Sequence, residues 1–226
     1  GMVLFFFNLG GRDLWEPDET RYAVVAREMV QSGDWILPHF NREIYAEKPP
    51  LFFWLVNLST FFLGENNELS NRLPSALAGL MTLFITFLFG ERLFNLRVGF
   101  LSALVLGTCI LFPQLSRWMM LDSLFTFFLL LSLFYFYLGY EKEGSRRKYY
   151  YLASLFMGLG VLTKGPIGYL PLLILLLFAF FQKDVKKFWN RDLLWGCLLS
   201  LILVLIWWLP ACWIGGKEYI YWLLFK

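Results

Sequence analysis

The chain has 226 residues, of which 58% are hydrophobic, 20% aromatic and 16% charged, and its formal net charge is +3. Soluble domains carry about 25% charged and about 45–50% apolar residues, so this composition excludes an ordinary soluble domain and indicates a membrane protein. The small net charge does not suggest a nucleic-acid partner, and the single histidine, His39, excludes a metal site built from several histidines.

The chain begins with a short apolar segment and a long polar loop. Residues 2–7 are too few to cross a bilayer, which takes about 20 apolar residues in a helix. We therefore expect residues 1–9 to be the end of a first transmembrane helix whose beginning is absent. Residues 10–72 then form a large first loop on the outer face, with juxtamembrane helices of its own.

The first helix of this loop is predicted by the sequence "EPDETRYAVVAREMVQSG". Pro17 suits a first helical position, two acids follow where the helix dipole favours them, and Gly33 can end the helix. An apolar stripe recurs at helical spacing, formed by Tyr22, Val25, Ala26 and Met29. We expect this helix to lie on the membrane surface.

The second helix of the loop is predicted over residues 51–63, "LFFWLVNLSTFFL". It follows "KPP", and its length is typical of an interfacial or re-entrant helix rather than a span. We expect it to lie along the membrane surface. If it crossed instead, the acidic first loop would share a side with the basic loops described next.

Six apolar segments beyond the loop are long enough, or nearly so, to cross the membrane: 73–90, 98–115, 121–140, 149–163, 165–181 and 193–214. The predicted architecture is therefore an all-α polytopic membrane protein, with a six-helix transmembrane bundle at 73–214. Residues 215–226 would begin a further periplasmic segment, at which the chain looks truncated.

The distribution of basic residues predicts the orientation of these spans. Ten of the 20 Lys and Arg residues lie in the loops 91–97, 141–148 and 183–191. If the spans alternate, all three loops fall on one side, which the positive-inside rule makes cytoplasmic. The first loop and the links around 116–121 and 163–165 then lie on the outer face.

Four groups of ionisable residues meet this outer boundary: Asp18, Glu19 and Arg21; Glu47 and Lys48; Arg117 and Asp122; and Lys164. Ionisable residues at membrane depth are costly and are functional candidates by default. Each also has a structural alternative. The acids can stabilise helix starts, Lys48 can snorkel, and Lys164 can compensate a helix C-terminus.

These residue types fit a lipid-linked substrate with an anionic head. Arg21 and Lys48 suit phosphate oxygens, and a carboxylate can accept a proton or orient a sugar or an amine. Cations would also stabilise a departing phosphate. Because there is no P-loop and no Gly-rich nucleotide fingerprint, we expect no nucleotide cofactor, and a lipid-linked sugar donor is favoured over a soluble one.

Several segments together resemble the polytopic C-superfamily (GT-C) glycosyltransferases. They are "EPDETRYAVVAREMVQSGDWILPHFNREIYAEKPPLFFWL", "NRLPSALAGL", "MMLDSLFTFFLLL" and "GLGVLTKGP". The likeness is closest to bacterial aminoarabinose transferases that act on lipid A, and extends to relatives of protein O-mannosyltransferases. It implies an undecaprenyl-phosphate sugar as donor, used at the periplasmic face of the bacterial inner membrane.

The resemblance also implies roles for individual residues. Asp18 and Asp122 take the positions of the catalytic centre, and Arg21 and Lys48 those that contact the donor phosphate. Glu47 takes the position of an acidic residue associated with a metal site in relatives, so a divalent metal there is a further expectation. The predicted substrate-binding set is completed by Glu19, Tyr22, Tyr45, Arg117 and Lys164.

The first hypothesis is therefore transfer of a sugar, with 4-amino-4-deoxy-L-arabinose as the candidate, from undecaprenyl phosphate to lipid A or another periplasmic acceptor. A protein or glycan hydroxyl is an alternative acceptor. A lipid flippase without chemistry is a second hypothesis, which predicts ionisable residues within the spans. Since family members have more spans and a C-terminal soluble domain, this segment alone could keep the catalytic centre and still be inactive.

Overall fold

The computed structural model describes residues 2–141, 146–183 and 190–225, and most of these residues are helical. In chain order the helices are α1 Met2–Phe6, α2 Asp18–Ser32, α3 Leu51–Leu63, α4 Glu68–Leu93, α5 Leu96–Thr108, α6 Leu111–Arg117, α7 Leu121–Glu141, α8 Arg146–Lys164, α9 Leu170–Phe181 and α10 Arg191–Phe225. A short 3₁₀ turn, Pro166–Tyr169, precedes α9, and α10 is kinked at Gly216.

A helical membrane architecture is confirmed. Among the described residues, α4, α7 and the Arg191–Lys217 part of α10 are long and apolar enough to cross a membrane. Helices α5 and α6 would add a fourth crossing if they form one span, although they are bent by 66° at the break between them. All six predicted spans coincide with helices, but that all six cross stays a prediction. Residues 142–145 and 184–189, within two of the basic loops, lie outside the described residues.

Helix α2 begins and ends where the sequence predicts. Pro17 precedes it, and Gly33 ends it with a φ of 72°, while its N–H donates to the Met29 carbonyl at 3.1 Å. The four residues of the apolar stripe are buried, but they pack against α3 and α7 rather than on lipid. The reason is that α3 presents two buried aromatic rings, Phe52 and Phe53, to this stripe.

A small hairpin connects α2 to α3. Strands β1 His39–Phe40 and β2 Glu43–Ile44 pair antiparallel, with His39 opposite Ile44. The two turn residues between them have positive φ, and their N–H groups donate to the carboxylate of Glu28 on α2 at 3.1 and 3.0 Å. This contact fixes the segment that leads to Tyr45, Glu47 and Lys48.

Small residues allow α8 and α10 to run parallel in close contact. A Cβ on Gly196 would lie 2.6 Å from Ser154 Oγ, and one on Gly158 would lie 3.1 Å from Ser200 Oγ. Close approach through small residues is the usual way in which membrane helices associate. The contact fixes the position of α8, whose last residue is Lys164.

The contact between α4 and α5 leaves even less space, which gives a first prediction. A Cβ on Gly99 would lie 2.5 Å from the Phe87 carbonyl oxygen and 2.6 Å from the Glu91 nitrogen, both backbone atoms. We expect Gly99→Ala to destabilise the protein by about 1–3 kcal/mol, because overpacking against backbone cannot relax. The measurement is the melting temperature in detergent, followed by size-exclusion chromatography.

The matched control is Gly107→Ala on the same helix. A Cβ there meets only the flexible tip of Leu83, at 3.1 Å. Alanine is also a better helix former than glycine, so this variant should be as stable as the parent chain. Equal melting temperatures for the two variants would contradict the packing argument.

Candidate active site

A buried ion pair anchors α2 to α4. Arg72 Nε lies 2.8 Å from Glu19 Oε1, and Arg72 Nη2 lies 2.9 Å from Glu19 Oε2. Both side chains are buried. The remaining guanidinium N–H groups donate to the backbone carbonyls of Leu9, Arg12 and Asp13.

Glu19 connects this ion pair to a third part of the chain. Its carboxylate also accepts from the backbone N–H groups of Trp15 at 2.8 Å and Met119 at 2.7 Å. Burial alone would raise the pKa of Glu19, but the hydrogen bonds from Arg72 and the two backbone groups outweigh burial and lower the pKa. The predicted substrate-binding residue Glu19 therefore faces the protein interior, where its geometry is that of a positioning residue.

Arg117 also bonds within the protein. Its Nη1 donates to the Leu4 carbonyl at 3.1 Å and its Nη2 to the Phe7 carbonyl at 2.8 Å. Orphan carbonyls at the end of a helix need such donors, and Arg117 supplies them for α1. Arg117, although predicted to bind substrate, therefore bonds to the end of α1 and not to the cluster described next.

The first turn of α2 holds an accessible ion pair. Arg21 Nη2 lies 2.6 Å from Asp18 Oδ1, and the two side chains are 30% and 39% exposed. The other arm of the guanidinium, Nη1, lies 3.8 Å from Glu47 Oε2, and the Tyr45 hydroxyl donates to the same carboxylate at 3.2 Å. This arrangement joins the start of α2 to the segment before α3.

A second accessible ion pair joins α7 to α8. Lys164 Nζ lies 2.5 Å from Asp122 Oδ1, and the two side chains are 33% and 45% exposed. Asp122 is the second residue of α7, and Lys164 is the last residue of α8. Gly165 follows with a φ of 83°, so the chain turns immediately after the lysine.

Tyr22 lies near both ion pairs, because the Arg21 guanidinium is 5.4 Å from the centroid of its ring and Leu121, the neighbour of Asp122, belongs to the same buried cluster. It is 6% exposed and packs against the rings of Phe52 and Phe53. Burial raises the pKa of the Tyr22 hydroxyl, and the carboxylates of Asp18 and Asp122 raise it further. The structure thus brings together, around one tyrosine, two carboxylates that lie far apart in the sequence.

The segment before α3 supplies a further cation. Lys48 is half-buried, and it forms no ion pair or hydrogen bond within the described residues. Tyr45, three residues earlier, is buried against Phe40 and Phe53, and burial raises its pKa. Lys48 directly follows Glu47 in the chain, and no carboxylate of the described residues compensates its charge.

The structure gives little support to the expectation that Glu47 binds a metal ion. Over residues 2–141, 146–183 and 190–225, no three His, Cys, Asp or Glu side chains form a group that could hold a metal ion. Glu47 itself is engaged with the Tyr45 hydroxyl and lies near a guanidinium. A cation at 3.8 Å disfavours a second positive charge at this carboxylate.

Arg72 is the site-supporting residue that the sequence interpretation missed. A signal was present, because Arg72 is the one charged residue in "NRLPSALAGL". Burying an arginine at the start of an apolar helix costs free energy unless its charge and N–H groups have partners. Its presence there therefore predicts a buried acid and several carbonyl oxygens around it.

Comparison with known proteins identifies the family of the chain. The family model described as dolichyl-phosphate-mannose-protein mannosyltransferase matches residues 47–209. An undecaprenyl phosphate-alpha-4-amino-4-deoxy-L-arabinose arabinosyl transferase of Shewanella sediminis is 36% identical over 98% of this chain and 40% of its own length. The protein of the same description in Edwardsiella ictaluri is 33% identical over 99% of this chain and 40% of its own length.

Solved structures give the same result. ArnT from Cupriavidus metallidurans bound to undecaprenyl phosphate matches with a TM-score of 0.89 and 26% identity, over 99% of this chain and 42% of that one. The Archaeoglobus fulgidus oligosaccharyltransferase, at 16% identity and a TM-score of 0.69, shares the fold over 92% of this chain and 28% of its own. The chain spans about two fifths of the length of the curated relatives it matches. It belongs to the dolichyl-phosphate-mannose-protein mannosyltransferase family of GT-C membrane transferases.

Proposed function

We propose that the chain forms the donor-binding and catalytic centre of a membrane glycosyltransferase. The reaction moves a sugar from undecaprenyl phosphate to lipid A or another acceptor at the periplasmic face of the bacterial inner membrane. The observation that carries this proposal is the pair of accessible ion pairs, Asp18–Arg21 and Asp122–Lys164, beside Tyr22. Such a cluster offers both cations for a phosphate and carboxylates for a sugar or a proton.

The transfer exchanges one bond at the anomeric carbon for another. An acceptor oxygen attacks this carbon and forms the new C–O bond. The bond from the carbon to the donor phosphate oxygen breaks, and its electron pair leaves with undecaprenyl phosphate. Arg21, Lys48 and Lys164 stabilise the charge that develops on this phosphate, which lowers the barrier.

Binding of the donor would change the environment of the two carboxylates, because each is paired with a cation that the donor phosphate can also bind. In the free enzyme each carboxylate is neutralised by its own cation. A bound phosphate competes for Arg21 and Lys164, so it can release a carboxylate from its cation. Asp18 or Asp122 can then take the proton of an acceptor hydroxyl.

The acceptor decides whether that base is needed. A phosphate oxygen of lipid A is already ionised and has no proton to give up. With that acceptor, the carboxylates would instead hold the amine of 4-amino-4-deoxy-L-arabinose as a cation. The names of the two relatives described above favour this sugar, and the undecaprenyl phosphate bound in ArnT favours this carrier.

The test uses the protein expressed from its complete reading frame, in vesicles that hold radiolabelled undecaprenyl-phosphate aminoarabinose. Transfer to lipid A, to polypeptide and to glycan is measured in parallel. Label on one of these acceptors supports the proposal and identifies the acceptor. Movement of the donor across the bilayer without label on any acceptor would contradict it and favour the flippase.

Lys48→Met gives a sharper prediction within this assay. A charge-assisted contact to phosphate is worth about 1.5–3 kcal/mol, so we expect the KM for the donor to rise roughly 10- to 100-fold. The control is Lys148→Met, which removes an exposed lysine at the other end of α8. If both variants have the KM of the parent protein, Lys48 does not contact the donor phosphate.

A further inference from the structure

A second charged cavity lies at the opposite end of α8 and α10 from the proposed active site. It has a volume of about 700 Å³ and is lined by Arg147, Tyr151, Arg191, Asp192 and Trp195. Arg147 lies near the start of α8, and Lys164 ends the same helix about 26 Å away at 1.5 Å per residue. This separation is close to the roughly 30 Å thickness of a hydrocarbon core, so the cavity lies at the other membrane face.

Both helices contribute the same pair of residue types to this cavity. On α8, Tyr151 follows Arg147 by four residues, and on α10, Trp195 follows Arg191 at the same interval. This spacing places each arginine and its aromatic residue on one face of the helix. The Arg147 guanidinium lies 5.3 Å from the centroid of the Tyr151 ring, and its Nε donates to the Tyr151 hydroxyl at 3.3 Å.

The charge of the cavity favours an anion. Neither Arg147 nor Arg191 forms an ion pair with a carboxylate of the part of the chain that the structure describes. Asp192 is the one acid among the five lining residues, so the arginines leave a net positive charge. The first turns of two parallel helices meet here, and their dipoles add to this positive potential.

The surface beside the cavity favours a lipid over a soluble anion. Trp195 is 53% exposed, and Leu198 and Leu199 follow it along α10 with exposures of 42% and 40%. Tryptophan is enriched at the level of lipid head groups, and the leucines continue into the depth of the acyl chains. One ligand could therefore place its anionic group between the arginines and its hydrocarbon on the leucines.

We propose that this cavity binds the phosphate head group of an anionic phospholipid. Basic pockets between membrane helices are suited to such head groups. The lipid comes from the leaflet opposite the proposed active site, which the positive-inside rule makes cytoplasmic. Because the lipid would contact α8 and α10 together, its binding stabilises their parallel packing.

The experiment uses the protein expressed from its complete reading frame and purified in a neutral detergent. Binding and melting temperature are measured with phosphatidylglycerol, with zwitterionic phosphatidylcholine and with inorganic phosphate. We expect phosphatidylglycerol alone to bind and to raise the melting temperature. Equal effects of phosphatidylcholine would overturn the proposal, and so would an equal effect of inorganic phosphate, which would indicate a site for free anions.

Substitutions of the lining residues test whether the lipid binds in this cavity. Each arginine should contribute about a fivefold gain in affinity, so Arg147→Gln and Arg191→Gln should each weaken phosphatidylglycerol binding by that factor. Arg97→Gln is the control, because it removes an exposed arginine from the same membrane face. Asp192→Asn changes the affinity in the opposite direction, since it removes the competing carboxylate. Unchanged affinity in all three cavity variants would overturn the proposal, whatever the result of the glycosyl-transfer assay.

Discussion

Arg72→Leu is expected to destabilise the protein by about 3–5 kcal/mol, which is the usual cost of breaking a buried ion pair by removing one partner. The substitution leaves the Glu19 carboxylate charged and buried, and it also removes the donors to three backbone carbonyls. Because a membrane protein has only a small reserve of stability, much of this variant should be lost before purification. The measurement is the yield of folded protein and its melting temperature.

Two further variants separate charge from bulk in this experiment. Arg27→Leu makes the same replacement at an exposed position of α2 and should leave the melting temperature unchanged. The double variant Arg72→Leu with Glu19→Leu removes both charges, so it should recover part of the lost stability. If Arg72→Leu melts at the same temperature as Arg27→Leu, the buried ion pair does not hold this region together.

Asp122→Asn and Asp18→Asn are expected to reduce kcat for sugar transfer by about 10²–10⁴-fold each, while the protein remains folded. The factor is that of a lost general base, or of a lost contact that orients the sugar. Folding should survive, because both side chains are partly exposed and asparagine keeps their size. The measurement is the initial rate of transfer with saturating donor, together with the elution profile of each variant.

The identity of the acceptor affects how large these losses are. A hydroxyl acceptor has a proton to give up, so loss of the base should cost the larger factor. A phosphate acceptor has no such proton, so the loss should be limited to the contact that orients the sugar amine. Asp13→Asn, which changes an exposed aspartate outside the two ion pairs, is the control. If Asp18→Asn and Asp122→Asn both transfer sugar at the rate of the parent protein, the catalytic assignment is wrong.

Much of the outer-face organisation could be predicted from local patterns. The bounds of α2 follow from Pro17 and Gly33, and its buried stripe follows from spacing alone. The alternation of spans places Asp122 and Lys164 on one face with Asp18. The ion pair between Lys164 and Asp122 could not be predicted, because this contact depends on how α7 and α8 pack.

Two features differ from the prediction for physical reasons. The segment 98–115 is divided into α5 and α6, since Pro113 has no N–H with which to continue the hydrogen bonds of α5 and lies instead in the first turn of the new helix. The charges of the first loop do not all face outward either. Glu19 points inward because the buried Arg72 of α4 reaches it. The lone arginine in an apolar sequence indicates that Arg72 needs an acidic partner, but the sequence does not indicate that this partner is Glu19.

The two arginines that hold the N-terminal segment do so through backbone carbonyls. Arg72 and Arg117 donate hydrogen bonds to five backbone carbonyl oxygens between Leu4 and Asp13. None of these five bonds involves a side chain of the segment. Substitutions at exposed positions of the segment therefore leave these five hydrogen bonds in place. Part of the constraint on where this segment lies is therefore carried by two residues that belong to other helices, in addition to the buried side chains of Phe5 and Leu9.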